Sequence, residues 1–345
     1  MNHSRPAIDK KDLVAIREVF RSKQITQGRK VLEFEAKFAR FIGVKAGLAV
    51  SSGTAALHLS LLALGIGKGD EVILPSFVCT APYLAILYTG AKPCLVDIEE
   101  GSYNLSFKET EKRINQRTKA IIAPHMFGNP VKIRQFLSLG VPIVEDCAQS
   151  LGASLAGKKT GSFGTISIFS FYATKLMTTG EGGMIVSNSS QLLKKMKDWR
   201  DYDHKKNLNF LRFNYKMTDF QAALGISQLK KLPVFLKRRK EIAERFNQTF
   251  KNNIFLKLPS SRSGRIYYRY VLRVQGNLER FIKSLRVKGI SAERPVFKPL
   301  HQYLALEGFP ETDKAYREVL SIPIYPSLKE KEIEKIIKAV KRVFS

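Results

Sequence analysis

The sequence predicts an α/β protein with a mostly parallel β-sheet covered by helices on both faces, followed by a smaller C-terminal α+β domain. Between residues 48 and 145, short apolar runs alternate with helical patterns, which is typical of βα units in a parallel sheet. After a long charged helix, the pattern changes to strand, helix, strand and helix. A chain of 345 residues is long enough for two domains, and we predict them at 1–236 and 237–345.

The N-terminal elements follow from capping residues and periodicity. Asp9 is a candidate N-cap for a helix to about Phe20, and an amphipathic helix is predicted from about Lys30 to Phe41. The alternating units then comprise strands at 48–51, 71–74, 93–96, 120–124 and 143–145, and helices at 54–64, 80–88, 107–115 and 131–139.

The later elements are predicted in the same way. Strands are expected at 165–171 and 184–187, a helix at 191–199 and an irregular polar stretch at 201–209. A capped helix begins near Thr218, is interrupted near Pro233 and resumes to about Phe250. The C-terminal domain is predicted to contain strands at 268–274 and 290–293, and helices at 278–288 and 329–343.

Composition indicates the compartment. No apolar run approaches membrane-spanning length, and residues 1–11 are polar, unlike a signal peptide, so we expect a cytoplasmic protein. The three cysteines, Cys79, Cys94 and Cys147, show no metal-binding spacing, and their odd number argues against a disulfide framework. We therefore expect no metal site.

The net charge of +28 favours anionic ligands, nucleic acid or an acidic membrane surface. Basic clusters occur at 230–240, 262–269 and 335–342. The second cluster interleaves tyrosines with arginines, which suits stacking on nucleotides, but the same alternation is typical of a strand with one solvated face. We take solvated faces as the first interpretation and nucleic-acid binding as a minor alternative.

The segment from Phe169 to Gly183 contains the main candidate for chemistry, Lys175. A lysine held on a short loop rich in threonine and glycine can act as a nucleophile toward aldehydes. The alternative is an ordinary solvated lysine in a turn.

Two other segments give Lys175 a chemical context. Asp146 ends a buried-type strand, where open parallel sheets bind ligands. The run Ser51-Ser-Gly-Thr54 leads from a strand into an apolar helix, whose N-terminus suits a phosphate. A phosphate site, a carboxylate and an amine together indicate pyridoxal 5'-phosphate (PLP).

At these residues the chain resembles the DegT-type (DegT/StrS) sugar aminotransferases, PLP enzymes of the fold type I superfamily. The resemblance covers nearly the whole chain, and its segments occur in family order at 25–28, 51–58, 67–76, 90–93, 125–130, 145–149, 161–164, 169–183, 214–218 and 299–301. It implies transfer of an amino group from L-glutamate or L-glutamine to a keto sugar, with a nucleotide-linked sugar favoured, in amino-sugar biosynthesis.

The resemblance also implies roles for individual residues. Lys175 matches the Schiff-base lysine, and Asp146 matches the acid at the pyridine nitrogen. The other implied cofactor contacts are Gln149 near the ring, Gly53, Thr54 and Ser170 at the phosphate, and Asn214 at the phosphate of the neighbouring subunit in a homodimer. His125, Glu181 and His301 match residues near the substrate, although a turn or core role explains each equally well.

Two positions depart from the family pattern. Cys79 stands where the family often has an aromatic residue stacked on the cofactor ring, so a sulfur contact is expected there. Lys216 stands where many members have arginine and loses the two-pronged geometry of a guanidinium. Two alternatives to amination stay open: a PLP-dependent sugar dehydratase, and a regulatory or nucleic-acid-binding protein on the same scaffold.

Overall fold

The structure is a computed structural model that describes residues 1–203, 211–260 and 263–344. Most of the irregular stretch predicted at 201–209, and Arg262 of the second basic cluster, lie outside the described residues.

The strands, in chain order, are β1 (Ala46–Val50), β2 (Glu71–Pro75), β3 (Lys92–Val96), β4 (Thr118–Pro124), β5 (Ile143–Asp146), β6 (Ser154–Leu155), β7 (Lys158–Lys159), β8 (Ile166–Ser170), β9 (Gly183–Ser187), β10 (Leu256–Lys257), β11 (Tyr270–Val274) and β12 (Val319–Ile322). The helices are α1 (Lys10–Ser22), α2 (Arg29–Ile42), α3 (Gly53–Ala63), α4 (Thr80–Tyr88), α5 (Phe107–Arg113), α6 (Ile133–Leu137), α7 (Ser190–Arg200), α8 (Asp219–Phe250), α9 (Leu278–Val287), α10 (Leu300–Tyr303), α11 (Pro310–Glu318) and α12 (Glu330–Val343).

A seven-stranded sheet in the order β1-β9-β8-β5-β4-β2-β3 forms the centre of the large domain, which confirms the predicted α/β class. Only β9 runs against its neighbours, so the sheet is mostly parallel. Gly183 of β9 pairs with both Val50 of β1 and Ser170 of β8. This register aligns the ends of three strands from distant parts of the sequence at one edge, where α3 and the lysine loop begin.

The predicted interruption at Pro233 is wrong, because α8 is continuous from Asp219 to Phe250. Pro233 lies on an exposed side of the helix, while Leu229, Leu232 and Phe235 around it are buried. A proline inside a helix costs about 3 kcal/mol. Burial of three large side chains, at about 1.5–3 kcal/mol each, outweighs that cost.

The predicted strand at 290–293 is also wrong. The small sheet has the order β10-β11-β12, and Glu293 makes only an isolated bridge to Ser321 of β12. The neighbouring Ser291 N–H donates to the Met1 carbonyl at 3.0 Å. Met1 therefore satisfies the Ser291 N–H, which a neighbouring strand would bind if these residues formed part of the sheet.

The described residues include no helix long and apolar enough to cross a membrane.

Candidate active site

Lys175 lies in the loop between β8 and β9, and hydrogen bonds fix this loop at both ends. The Phe171 N–H donates to the Gly182 carbonyl at 2.9 Å, and the Thr178 hydroxyl donates to the Phe171 carbonyl at 2.9 Å. The Lys175 N–H donates to the Tyr172 carbonyl at 2.9 Å. The lysine therefore projects from a turn that is fixed by hydrogen bonds. The sequence context predicted such a short, fixed loop between two strands.

Tyr268 adds a contact that the sequence did not predict. The Lys175 Nζ lies 5.3 Å from the centre of its ring. Burial acts to raise the pKa of Tyr268, but the positive charges of Lys175 and Arg269 outweigh it and lower that pKa. Arg239 fixes the backbone here by donating to the Tyr268 carbonyl at 3.1 Å. A buried aromatic residue thus lines the lysine on the side of the C-terminal part of the chain.

The turn before α3 lies directly against the end of β8. Ser52 caps α3, and its Oγ accepts from the Ala55 N–H at 3.0 Å. A Cβ on Gly53 would lie 2.9 Å from the Ser170 Cβ, so only glycine allows this close approach. The backbone N–H groups of Gly53 and Thr54 therefore lie at a helix N-terminus directly against Ser170, an arrangement that is suited to bind a phosphate.

Asp146 ends β5 and is 8% exposed. Its Oδ1 accepts from the Ala148 N–H at 3.0 Å, and the described residues give its Oδ2 no hydrogen-bond donor. Burial raises the pKa of Asp146, and the Ala148 N–H and the charge of Lys175 offset this only in part. The carboxylate is therefore under-compensated and suited to accept a cationic N–H group.

The adjacent Glu145 has the opposite environment. Its carboxylate accepts five hydrogen bonds, from the backbone N–H groups of Gly161, Phe163 and Gly164, from the Ser167 hydroxyl and from the His125 ring. Burial acts to raise the pKa of Glu145, but His125 and the N–H groups outweigh it and hold that pKa below its ordinary value. Glu145 therefore stabilises the fold behind the site.

Cys79 lies at the N-terminus of α4 and is exposed. Burial of the thiol by neighbouring protein atoms raises its pKa, the charge of Lys175 lowers the same pKa, and that of Asp146 raises it. The thiol therefore lies near enough to Lys175 and Asp146 for both charges to act on it.

Gln149 and Asn214 occupy different kinds of position. The Gln149 Oε1 accepts from the Phe127 N–H at 2.9 Å, which orients the side-chain amide. Asn214 is exposed, while the Tyr215 carbonyl next to it accepts from the Ser51 N–H at 2.8 Å. Asn214 thus emerges beside the turn that leads into α3.

The three residues predicted near the substrate are not gathered into one cluster. The His125 Nε2 contacts the Glu145 carboxylate at 3.0 Å, and its Nδ1 accepts from the Val131 N–H at 2.9 Å. The His301 Nδ1 contacts the Ser76 hydroxyl at 2.7 Å, and its Nε2 contacts the Asp313 carboxylate at 3.1 Å. Both rings are buried with both nitrogens engaged, whereas Glu181 is exposed.

Lys216, which stands where many family members have arginine, has a buried amine group. Its Nζ is buried, has no hydrogen-bond partner among the described residues and lies 4.0 Å from the centre of the Tyr202 ring. The tyrosines that suggested nucleotide stacking, Tyr267, Tyr268 and Tyr270, are all buried, so their rings do not form an exposed stacking surface.

The fold and the grouping of a loop lysine, a buried carboxylate and a helix N-terminus define the fold type I class of transferases. The chain matches the DegT/DnrJ/EryC1/StrS aminotransferase family over residues 6–341. It belongs to that family and is an enzyme of the aminotransferase type, as the sequence motifs predicted.

Similar proteins agree with this assignment. The GDP-perosamine synthase of Caulobacter vibrioides is 36% identical over 92% of this chain and 90% of its own. The aminotransferase PseC of Helicobacter pylori, involved in pseudoaminic acid biosynthesis, superposes with a TM-score of 0.92 at 29% identity, covering 99% and 98% of the two chains. Spr1654 of Streptococcus pneumoniae, solved in a PLP form, superposes with a TM-score of 0.93 at 25% identity over 100% of both chains.

Proposed function

We propose that this enzyme uses PLP to move an amino group from L-glutamate or L-glutamine to a keto sugar, with a nucleotide-linked sugar as the favoured acceptor, in amino-sugar biosynthesis. One observation supports this proposal most strongly. Lys175, Asp146 and the helix N-terminus at which Gly53 lies against Ser170 all occur at one edge of the sheet.

The residues present fit the proposed cofactor. The α3 N-terminus, with Gly53, Thr54 and Ser170, suits a phosphate because its backbone N–H groups point outward and a Cβ on Gly53 would fill the approach. The Asp146 carboxylate is buried and under-compensated, so a protonated ring nitrogen would stabilise its charge. Cys79 and Gln149 would flank the ring.

When bound, PLP supplies an electron sink that lets an amino group leave one carbon and join another. The protein's part is to hold, orient and move protons. The Lys175 Nζ would carry the cofactor covalently between turnovers and move the proton at the substrate carbon once the substrate amine has replaced it. The ring face of Tyr268 would contact the lysine amine in its free state.

Two observations support a nucleotide-linked acceptor. The GDP-perosamine synthase of C. vibrioides is similar over most of both chains. The net charge of +28 also favours a substrate that carries a diphosphate. Lys216, which lacks a hydrogen-bond partner among the described residues, is a candidate for contact with an acidic group.

We further propose a cytoplasmic homodimer with shared active sites. The exposure of Asn214 beside the α3 turn supports a role in the neighbouring subunit's phosphate site.

We also retain the domain boundary at 236/237. Along α8, Leu232 packs in the core of the large domain and Ile242 in that of the small one, so the core changes on either side of this position.

The residue at position 175 distinguishes this chain from the dehydratase alternative. Relatives that remove a hydroxyl group with a pyridoxamine form of the cofactor, without a Schiff base, typically have histidine at the lysine position, and this chain has Lys175. A histidine can move protons but cannot attach the cofactor covalently, so the lysine favours repeated amination with an amino-acid donor.

The test is an amine-transfer assay with isotopically labelled glutamate and glutamine against a panel of nucleotide-linked keto sugars, analysed by mass spectrometry. We expect labelled nitrogen in the sugar product. Loss of water from the sugar without incorporation of nitrogen would support the dehydratase instead.

A further inference from the structure

Two helices of the C-terminal domain form a basic surface that the proposed reaction does not use. Exposed cations cover α9 and its end, and α12 from Lys335 onward: Arg280, Lys283, Arg286, Lys288, Lys335, Lys338, Lys341 and Arg342. None of these residues belongs to the site around Lys175.

The charge on this surface is of one sign. The sequence has no acidic residue in α9 after Glu279 or in α12 after Glu334. Those two carboxylates pair elsewhere, Glu279 with Arg294 and Glu334 with Arg245. Like charges spaced three or four residues apart on a helix, such as Lys338 and Arg342, destabilise it slightly. Protein surfaces commonly intersperse both signs, so a face with charges of one sign, which retains this repulsion, suits an anionic partner.

Apolar side chains project from the same surface. A cleft of about 360 Å³ is lined by Phe255, Arg280, Phe281, Ser284, Lys288 and Arg342, among others. On the same helix α9, Val287 is 81% exposed and lies between the exposed Arg286 and Lys288. An aliphatic side chain with this much exposure gains little from folding, so the position of Val287 among cations favours a partner that is both anionic and apolar.

These features distinguish a lipid bilayer from a nucleic acid. Bases stack on flat, exposed aromatic rings. Here Phe281 and Phe344 pack against each other, with ring centres 4.4 Å apart, and Phe344 is 2% exposed. On this face the most exposed apolar side chain is the aliphatic Val287, whereas Phe255 is 38% exposed. An aliphatic group suits insertion at the boundary between headgroups and acyl chains, while lysines and arginines contact lipid phosphates.

We propose that this basic helix face, formed by α9 with its exposed Val287 and by α12 from Lys335 onward, docks the enzyme on a bilayer that contains anionic phospholipids. This proposal is independent of the aminotransferase function, because it requires neither the cofactor nor the site residues.

The test is co-sedimentation of the full-length protein with phosphatidylcholine vesicles that contain or lack phosphatidylglycerol. We expect binding only to the anionic vesicles. Lys283→Glu combined with Lys338→Glu should weaken it at least about tenfold, and Val287→Ser about fivefold. The matched control, Lys10→Glu with Lys108→Glu, makes the same charge change on exposed residues of the large domain and should alter binding by no more than about twofold.

Three results would overturn the proposal. The first is no preference for anionic vesicles. The second is an equal loss with the control pair, which would show that net charge alone attracts the protein. The third is tighter binding to single-stranded RNA than to vesicles, with Val287→Ser lacking any effect on the vesicles, which would assign the face to a soluble polyanion. Retained transamination in the Lys283/Lys338 variant would confirm that its fold is intact.

Discussion

Asp146 and Glu145 are adjacent carboxylates with opposite environments, and this contrast gives a sharp test of the cofactor site. Asp146→Asn removes the negative charge and keeps an oxygen to accept from the Ala148 N–H. If Asp146 pairs with a cationic nitrogen of the cofactor, the variant leaves that cation without its partner. We therefore expect weaker cofactor binding with little change in the stability of the cofactor-free protein.

The magnitude follows from the burial of Asp146, which is 8% exposed with one donor on Oδ1. Removing one partner of a buried charge pair costs about 3–5 kcal/mol. Because each 1.4 kcal/mol is tenfold in an equilibrium constant, the Kd for PLP should rise by about 10² to 10⁴. The assay is a PLP titration of cofactor-free protein, followed by absorbance and by the rise in Tm.

Glu145→Gln is the matched control. Its carboxylate accepts five hydrogen bonds, and an amide offers one oxygen in place of two. Each buried donor left unsatisfied costs about 1–3 kcal/mol, so this variant should lose Tm, while its folded fraction should retain PLP affinity. Wild-type PLP affinity in Asp146→Asn would refute the assignment of Asp146 to the ring nitrogen.

Three further predictions concern single residues. Lys175→Ala, and equally Lys175→Arg, should abolish both the visible absorption band of the lysine-bound cofactor and amine transfer, because neither side chain can attach the cofactor. Retention of that band or of amine transfer contradicts the role of Lys175. If Asn214 serves the neighbouring subunit, mixing inactive Asn214→Ala and Lys175→Ala chains should restore about a quarter of the wild-type activity through hybrid dimers, and no recovery on subunit exchange contradicts the shared site. Burial, with Arg269 nearby, lowers the pKa of His3 from 6.5 to about 3, so the folded state binds fewer protons than the unfolded state between these values. The stability that neutral His3 provides is present above pH 6.5 and is lost as the pH falls toward 3, by up to about 1.4 kcal/mol per pH unit. In unfolding measurements at stepped pH, the free energy of unfolding of His3→Gln should therefore fall less than that of the wild type. Identical curves of this free energy against pH for the two proteins contradict the assignment.

Local patterns predicted most elements because their signals are short-range. Asp9 accepts from the N–H groups of Lys11 and Asp12, as expected of an N-cap, and α1 begins at Lys10. The apolar alternation before Lys175 gave β8, and the three glycines gave the turn into β9. The predictions were wrong where packing or residues distant in sequence decide the local structure. Burial of the side chains around Pro233 keeps α8 continuous, and the Met1 carbonyl accepts from the Ser291 N–H, next to Ile290.

The sequence by itself determined the α/β class, the order of the elements and the lysine, carboxylate and phosphate-binding segments, because strand and helix periodicity and the glycine-rich turns are local properties. Only the tertiary structure decided which side chains meet. Glu145 and Asp146 are neighbours in β5, yet strand side chains alternate between faces, so one binds the donors behind the site and the other faces Lys175. Tyr268 reaches Lys175 from the C-terminal part of the chain, and a contact between residues so far apart in sequence depends on how the domains pack.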